Sequence, residues 1–125
     1  MMTTKEIGDI GERAAAKFLK KQGYKISARN VHLSHNEIDI VAENKDYIVF
    51  AEVKTRTSSP DDTRFGVPSS AVDYRKREHL LTAARDYLRA NPTNKQPRMD
   101  VLEVWLDKSK KVVDINHIRN AYGAR

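Results

Sequence analysis

The sequence contains no cysteine, which excludes a disulfide framework, a thiolate zinc site and thiol catalysis. No apolar run approaches the ~20 residues that a membrane-spanning helix requires, so we expect no membrane contact. The N-terminal residues also lack the apolar core and the cleavage site of a secretory signal. The cytoplasm is therefore the expected compartment.

Acidic residues are fewer than basic ones. The chain of 125 residues has 23 Lys and Arg against 17 Asp and Glu, which gives a formal net charge of +6. This length corresponds to one ordinary domain, so residues 1–125 are expected to form a single unit. Positive charge favours polyanionic partners such as nucleic acid, but it is a weak indication because many basic proteins bind none.

Two segments have the apolar spacing of amphipathic helices. Thr3 and Glu6 have the spacing of a capping box, and apolar residues then recur at helical intervals until Gly23. A second helical pattern covers residues 69–90 and ends before Pro92. We therefore predict one helix at the N-terminus and another in the second half of the chain.

Five further segments have the composition and alternation of β-strands, and a polar loop is expected before the second helix. The strand predictions cover residues 24–33, 37–43, 47–55, 98–106 and 111–118, and the loop covers 58–68. Asn-Lys-Asp at residues 44–46 joins the second and third strands as a hairpin. The predicted order is therefore αβββαββ.

The predicted hairpin carries charged residues where its strands should be buried. Residues two apart in a strand share a face, which pairs Glu37 with Asp39 and Glu52 with Lys54. Residues 47–51 are apolar on both faces, so Glu52 at their end is partly desolvated and needs a partner. Each charge alone could be a solvated strand end. The acidic pair on one strand and Glu52 on the next, however, repel each other unless an ammonium or a cation lies between them.

A hard divalent cation, bound by carboxylate and carbonyl oxygens, would satisfy this arrangement. An adjacent ammonium could hold a water molecule or stabilise charge that develops on a phosphate. Asp39 followed by Glu52-Val53-Lys54 also resembles the PD-(D/E)xK motif of restriction-endonuclease-like nucleases. The hairpin therefore suggests a phosphodiester-cleaving site.

The chain is similar to the YraN-like family of bacterial proteins over nearly its whole length. Five blocks occur in order, namely GERAAAKFLKKQGY at 11–24, NEIDIVA at 36–42, FAEVKTR at 50–56, AVDYRKREHLLTAARDYL at 71–88 and RMDV at 98–101. The resemblance implies an α/β fold with a restriction-endonuclease-like core, in which a mixed β-sheet is flanked by helices.

The resemblance also implies the residues of a metal site. Asp39 and Glu52 would be metal ligands, the Val53 carbonyl would supply a further oxygen, and Lys54 would position or activate the attacking water. The implied cofactor is Mg²⁺ or Mn²⁺.

Two further acidic residues complete the candidate catalytic set. In archaeal Holliday-junction resolvases a glutamate of the first helix joins the site, and Glu12 stands at the matching place, beside the apolar face of its helix. A solvated helix charge is the alternative for Glu12. Glu37 is included because it shares a strand face with Asp39.

Four basic residues are candidate nucleic-acid contacts. Arg56 lies two residues after Lys54, shares its face and could clamp a phosphate. Lys76 lies inside the apolar stripe of the second helix, where it either extends its ammonium to solvent or contacts a phosphate. Arg75 and Arg77 point elsewhere, to solvent or to the DNA backbone.

Two functions fit these residues. The first is a metal-dependent endonuclease that hydrolyses DNA phosphodiester bonds, in branched or structured DNA. The second is a non-catalytic module that keeps the fold and a basic face to bind nucleic acid or protein. Asp39, Glu52 and Lys54 together favour catalysis, because a binding module has little reason to hold acidic groups where a phosphate approaches. The sequence leaves open which DNA structure is cut, whether RNA is a substrate and whether the chain forms a homodimer.

Overall fold

The computed structural model describes residues 2–33, 35–57 and 74–122. Its elements are α1 (Thr4–Lys21), β1 (Lys25–Leu33), β2 (Asn36–Glu43), β3 (Tyr47–Thr57), α2 (Tyr74–Ala90), β4 (Gln96–Leu106) and β5 (Val112–Ile118). The helices and strands follow one another as the periodicity predicts. The predicted loop at 58–68 and the predicted helical residues 69–73 lie outside the described residues.

The predicted capping box begins α1. The Thr3 hydroxyl accepts a hydrogen bond from the Glu6 backbone N–H at 3.1 Å, and the Glu6 carboxylate accepts one from the Thr3 N–H at 2.9 Å. Two otherwise unsatisfied donors are thus paired. Beyond α1, Gly23 has a φ of +96°, a left-handed conformation that glycine adopts without steric cost.

The five strands form one sheet in the order β1-β2-β3-β4-β5. β3 and β4 are parallel, whereas the other neighbouring pairs are antiparallel. Parallel neighbours require a crossover connection, and α2 lies within the connection between β3 and β4. The fold is therefore mixed α/β, with a five-stranded mixed sheet and two helices.

Each face of the sheet carries an apolar cluster. The α1-side cluster includes Leu19 of α1, and the α2-side cluster includes Leu80 of α2. β3 supplies Val49 and Ala51 to the first cluster and Phe50 to the second, so this strand is covered on both sides as predicted. Burying a side chain as large as Phe50 contributes roughly 1.5–3 kcal/mol.

Two aromatic residues belong to the interior. Trp105 is almost completely buried, and the Tyr87 ring packs edge-to-face on Phe50 with a centroid distance of 5.7 Å. Trp105 therefore belongs to the core, and Tyr87 is partly buried against it.

Strict strand alternation is interrupted near Asp39. Ile38 belongs to the α2-side cluster and Ile40 to the α1-side cluster, although residues two apart in a regular strand share a face. The pairing of β2 with β3 ends at Ile40 and Ala51. Beyond this last pair, at Asp39 of β2 and Glu52 of β3, the two strands are no longer paired. They leave an opening between them.

Close packing of α1 on β3 depends on a glycine. A Cβ atom on Gly11 would overlap the Oγ1 atom of Thr55, whereas a Cβ atom on Gly8 would meet nothing within 4 Å. Gly11 thus sets how closely the helix approaches the strand that carries Glu52 and Lys54.

Candidate functional site

Glu52 and Lys54 lie on the same side of β3, as their spacing predicts. The Lys54 ammonium nitrogen is 3.7 Å from Oε2 of Glu52, and both side chains are largely buried. Burial lowers the pKa of Lys54, and the nearby Lys76 lowers it further, whereas the charge of Glu52 opposes the shift. The opening beside β3 therefore holds an ammonium poised to lose its proton more readily than an exposed lysine.

The Glu52 carboxylate has partners on both oxygens. Oε2 is 3.6 Å from the Lys76 ammonium nitrogen as well as 3.7 Å from that of Lys54. Oε1 accepts a hydrogen bond from the Tyr122 hydroxyl at 3.1 Å. The largely buried Glu52 carboxylate therefore has the partners that it needs, and they come from β3, α2 and the segment after β5.

Lys76 lies one turn before the buried Leu80 of α2 and lines the same cleft, as its predicted place in the apolar stripe implies. Its side chain is 51% exposed, and its ammonium extends to Glu52. The lysine stem is long enough to carry the charge from the helix to this carboxylate, and contact of Lys76 with a phosphate stays a prediction.

Asp39 lies among several carboxylates. Its Oδ2 atom accepts a hydrogen bond from the Val53 backbone N–H at 2.8 Å. Burial raises the pKa of Asp39 to about 6; the Val53 hydrogen bond opposes this shift, and the charges of Glu12, Glu37 and Glu52 add to it. A proton or a cation at this position would relieve the repulsion among these four side chains.

Glu12 is 8% exposed, so the reading of a solvated helix charge is wrong. Its Oε1 atom accepts hydrogen bonds from Arg29 at 3.1 Å and from the Asn30 side chain at 2.9 Å. Asn30 has a left-handed φ of +51° in β1. The first helix and the first strand thus hold Glu12 in place beside the opening.

Two clefts meet at the opening, and Glu37 and Asp39 line both of them. The cleft on the α2 side has a volume of 200 Å³ and is also lined by Glu52, Lys76 and His79. The cleft on the α1 side has a volume of 390 Å³ and is also lined by Glu12, Asn30 and Val53. The α2-side cleft therefore combines acidic and basic groups, as a site for a phosphate and a cation requires.

Arg56 and Arg77, two of the predicted phosphate contacts, donate hydrogen bonds to other residues of the protein. The Arg56 Nε atom donates to Oε2 of the fully buried Glu103 at 2.6 Å. Arg77 does not point only to solvent, because its Nε atom donates to the Tyr122 backbone oxygen at 3.2 Å. Arg75 is exposed on α2. Phosphate binding by Arg56, Arg75 or Arg77 stays a prediction.

The sequence did not predict a buried hydrogen-bond network on the α1 side of the sheet. Asp100 is fully buried and accepts hydrogen bonds from Arg98 at 2.8 Å and from the Asn120 backbone at 2.9 Å, and its Oδ2 atom lies 2.7 Å from His117 Nε2. Burial alone would raise the pKa of Asp100, but the hydrogen bonds from His117, Arg98 and Asn120 outweigh it and lower the pKa. The network ties β5 and the following residues to β4.

Within residues 2–33, 35–57 and 74–122, no three His, Cys, Asp or Glu side chains are arranged to hold a metal ion. The predicted set differs from such a group, because it consists of two carboxylates and one backbone carbonyl. In the same part of the chain no helix is long and apolar enough to cross a membrane.

The fold and the opening define a mixed α/β protein in which a carboxylate pair and lysines meet beside the central strand. The chain belongs to the Uncharacterised protein family UPF0102, whose model matches residues 11–104. This membership confirms the family to which the sequence blocks point.

Full-length bacterial relatives support the assignment. A UPF0102 protein of Caldanaerobacter subterraneus is 43% identical over 120 residues, which cover 94% of this chain and 95% of the relative. A UPF0102 protein of Caldicellulosiruptor saccharolyticus is 42% identical over 122 residues and covers 97% of this chain and 100% of the relative. A Clostridium acetobutylicum relative is 44% identical over 119 residues.

Proposed function

We propose that this protein is a Mg²⁺-dependent endonuclease of the PD-(D/E)xK type that hydrolyses phosphodiester bonds in DNA, with branched or structured DNA as its substrates. The observation that carries the proposal is the position of Lys54, 3.7 Å from Glu52 at the opening that Asp39 lines. A carboxylate pair beside an ammonium is the combination that water attack on a phosphodiester requires.

The donor atoms at the opening fit a hard divalent cation. Asp39, Glu52 and the Val53 carbonyl offer only oxygen, which Mg²⁺ and Mn²⁺ prefer. Burial and the neighbouring carboxylates disfavour a charged Asp39, so a bound cation would stabilise it. When bound, the ion would polarise the phosphate and lower the pKa of a coordinated water.

The side chains of the chain itself have distinct roles in this proposal. Lys54 orients the attacking water and stabilises negative charge that develops on the phosphate. Lys76 is half exposed beside the same carboxylate, so it binds the phosphate as the DNA enters the α2-side cleft. Glu12, held by Arg29 and Asn30, keeps the α1 side of the opening acidic. The net charge of +6 favours approach of the polyanion.

A substrate panel tests the proposal. The purified protein is incubated with linear, flapped, four-way and single-stranded DNA, in Mg²⁺, in Mn²⁺ and in chelator, beside a Glu52→Gln preparation made in the same way. We expect metal-dependent cleavage of branched DNA by the wild type alone. Equal cleavage by both preparations, once each is shown to be free of host nuclease, would exclude a role for Glu52, and no cleavage of any substrate would overturn the proposal.

One observation favours the non-catalytic alternative. Lys54 and Lys76 both lie within 4 Å of Oε2 of Glu52, so the carboxylate is already neutralised without a metal ion. A protein with this arrangement could bind nucleic acid through its basic residues alone. In that case, Mg²⁺ would not strengthen DNA binding relative to chelator, and no substrate would be cut.

A further inference from the structure

Tyr122 lies at the candidate site although its sequence position suggests no role there. Tyr122 is 1% exposed, and its ring belongs to the α2-side cluster. Its hydroxyl donates a hydrogen bond to Oε1 of Glu52 at 3.1 Å. The ring thus packs in the apolar cluster, whereas the hydroxyl contacts the carboxylate.

The backbone around Tyr122 is fixed at three successive residues. The Asn120 N–H donates to the Asp100 carboxylate at 2.9 Å, and the Ala121 N–H donates to the Met99 backbone oxygen at 2.8 Å. The Tyr122 backbone oxygen accepts from Arg77 of α2 at 3.2 Å. Contacts with β4 and α2 therefore fix the backbone that carries the Tyr122 hydroxyl.

We propose that Tyr122 is a positioning residue for Glu52. By holding Oε1, the hydroxyl stops the carboxylate from rotating and presents Oε2 toward Lys54 and the α2-side cleft. This role rests on the proposed nuclease function, in which Glu52 is a metal ligand. Partners that orient a metal-binding carboxylate commonly affect metal affinity by tenfold or more.

The test compares Tyr122→Phe with Tyr87→Phe. Both changes remove a hydroxyl from a ring in or against the α2-side cluster, but the Tyr87 ring packs on Phe50 instead of bonding Glu52. The first measurement is the ¹³C carboxyl resonance of Glu52 without metal, assigned by its loss in Glu52→Gln. We expect this resonance to move in Tyr122→Phe and to stay in Tyr87→Phe.

The second measurement is Mg²⁺ affinity by calorimetry, at a temperature where thermal unfolding shows each variant to be folded. We expect Tyr122→Phe to bind Mg²⁺ roughly tenfold more weakly than Tyr87→Phe and wild type. A purely structural role of Tyr122 would lower the melting temperature but leave the affinity of the folded protein unchanged, which would overturn the inference.

A reciprocal measurement covers the case in which Tyr122→Phe does not fold. The chain has five tyrosines, and ¹³C labelling of their ring carbon next to oxygen gives one signal for each. Glu52→Gln should shift the Tyr122 signal, and no shift would overturn the inference. If wild type binds no Mg²⁺, the nuclease proposal fails, while the two resonances still decide whether Tyr122 holds Glu52.

Discussion

The ammonium nitrogen of Lys76 lies 3.6 Å from Oε2 of Glu52, which brings a cation of α2 to the carboxylate of β3. Lys54 lies 3.7 Å from the same oxygen, so two positive charges flank this carboxylate, which lines the α2-side cleft together with Lys76 and Asp39. In the proposed function a phosphate and a cation would be bound through different side chains, so removal of single charges separates the two effects.

Glu52→Gln should abolish cleavage and leave folding and DNA binding largely intact. The amide keeps the shape of the side chain but loses the charge that Mg²⁺ requires, so the rate should fall by roughly a hundredfold or more. Cleavage assays and band shifts measure the two effects. Glu78→Gln is the matched control, because Glu78 is an exposed α2 carboxylate paired with Arg77. Unchanged cutting by Glu52→Gln would eliminate the metal mechanism.

DNA affinity should fall as salt rises, because positive charges act through phosphate contacts and counterion release. Lys76→Gln should weaken binding and reduce the slope of log affinity against log salt by about one. The control Lys111→Gln removes an exposed charge near the turn between β4 and β5 and should leave the slope closer to that of wild type. Binding that is independent of salt would count against both nucleic-acid functions.

Asp39→Asn should stabilise the protein at neutral pH. The pKa of Asp39 is raised to about 6, so the stability that its protonated form provides is present below pH 4 and is lost as pH rises through 6. Above that range the variant should gain at most about 3 kcal/mol, since one pKa unit corresponds to about 1.4 kcal/mol. Urea unfolding without metal, at several pH values, measures the gain.

Asp9→Asn serves as the control for this change, because Asp9 is an exposed carboxylate of α1. Its free energy of unfolding should stay close to that of wild type throughout. A gain for Asp39→Asn that was no smaller at pH 4 than at pH 8 would show that the charge of Asp39 is not its cause.

Gly11→Ala should destabilise the fold, whereas Gly8→Ala should not. The added methyl of Gly11→Ala would overlap Thr55, and overpacking of this kind costs about 1–3 kcal/mol. Gly8 faces open space, so alanine there should stabilise α1 by up to about 1 kcal/mol through helix propensity. Chemical denaturation of both variants checks the pair. Equal stability of the two would mean that α1 does not pack closely on β3 at Gly11.

Local sequence patterns predicted much of the fold. The capping box of α1 and the 44–46 turn depend on neighbours within a few residues, and both are present in the structure. The common side of Glu52 and Lys54 follows from the period of a strand. The break in alternation between Ile38 and Ile40 was not predicted, because it depends on where β2 stops pairing with β3.

The sequence by itself determined the helices, the strands and the charged set on the hairpin, because periodicity and turn chemistry act between residues close in the chain. Only the tertiary structure decided that Lys76 and Tyr122 contact Glu52, and that His117 and Arg98 pair with the buried Asp100. Tyr122 and Glu52 are separated by 70 positions. Their contact arises from the parallel pairing of β3 with β4 and from the anchoring of the chain after β5, and neither leaves a pattern in the local sequence.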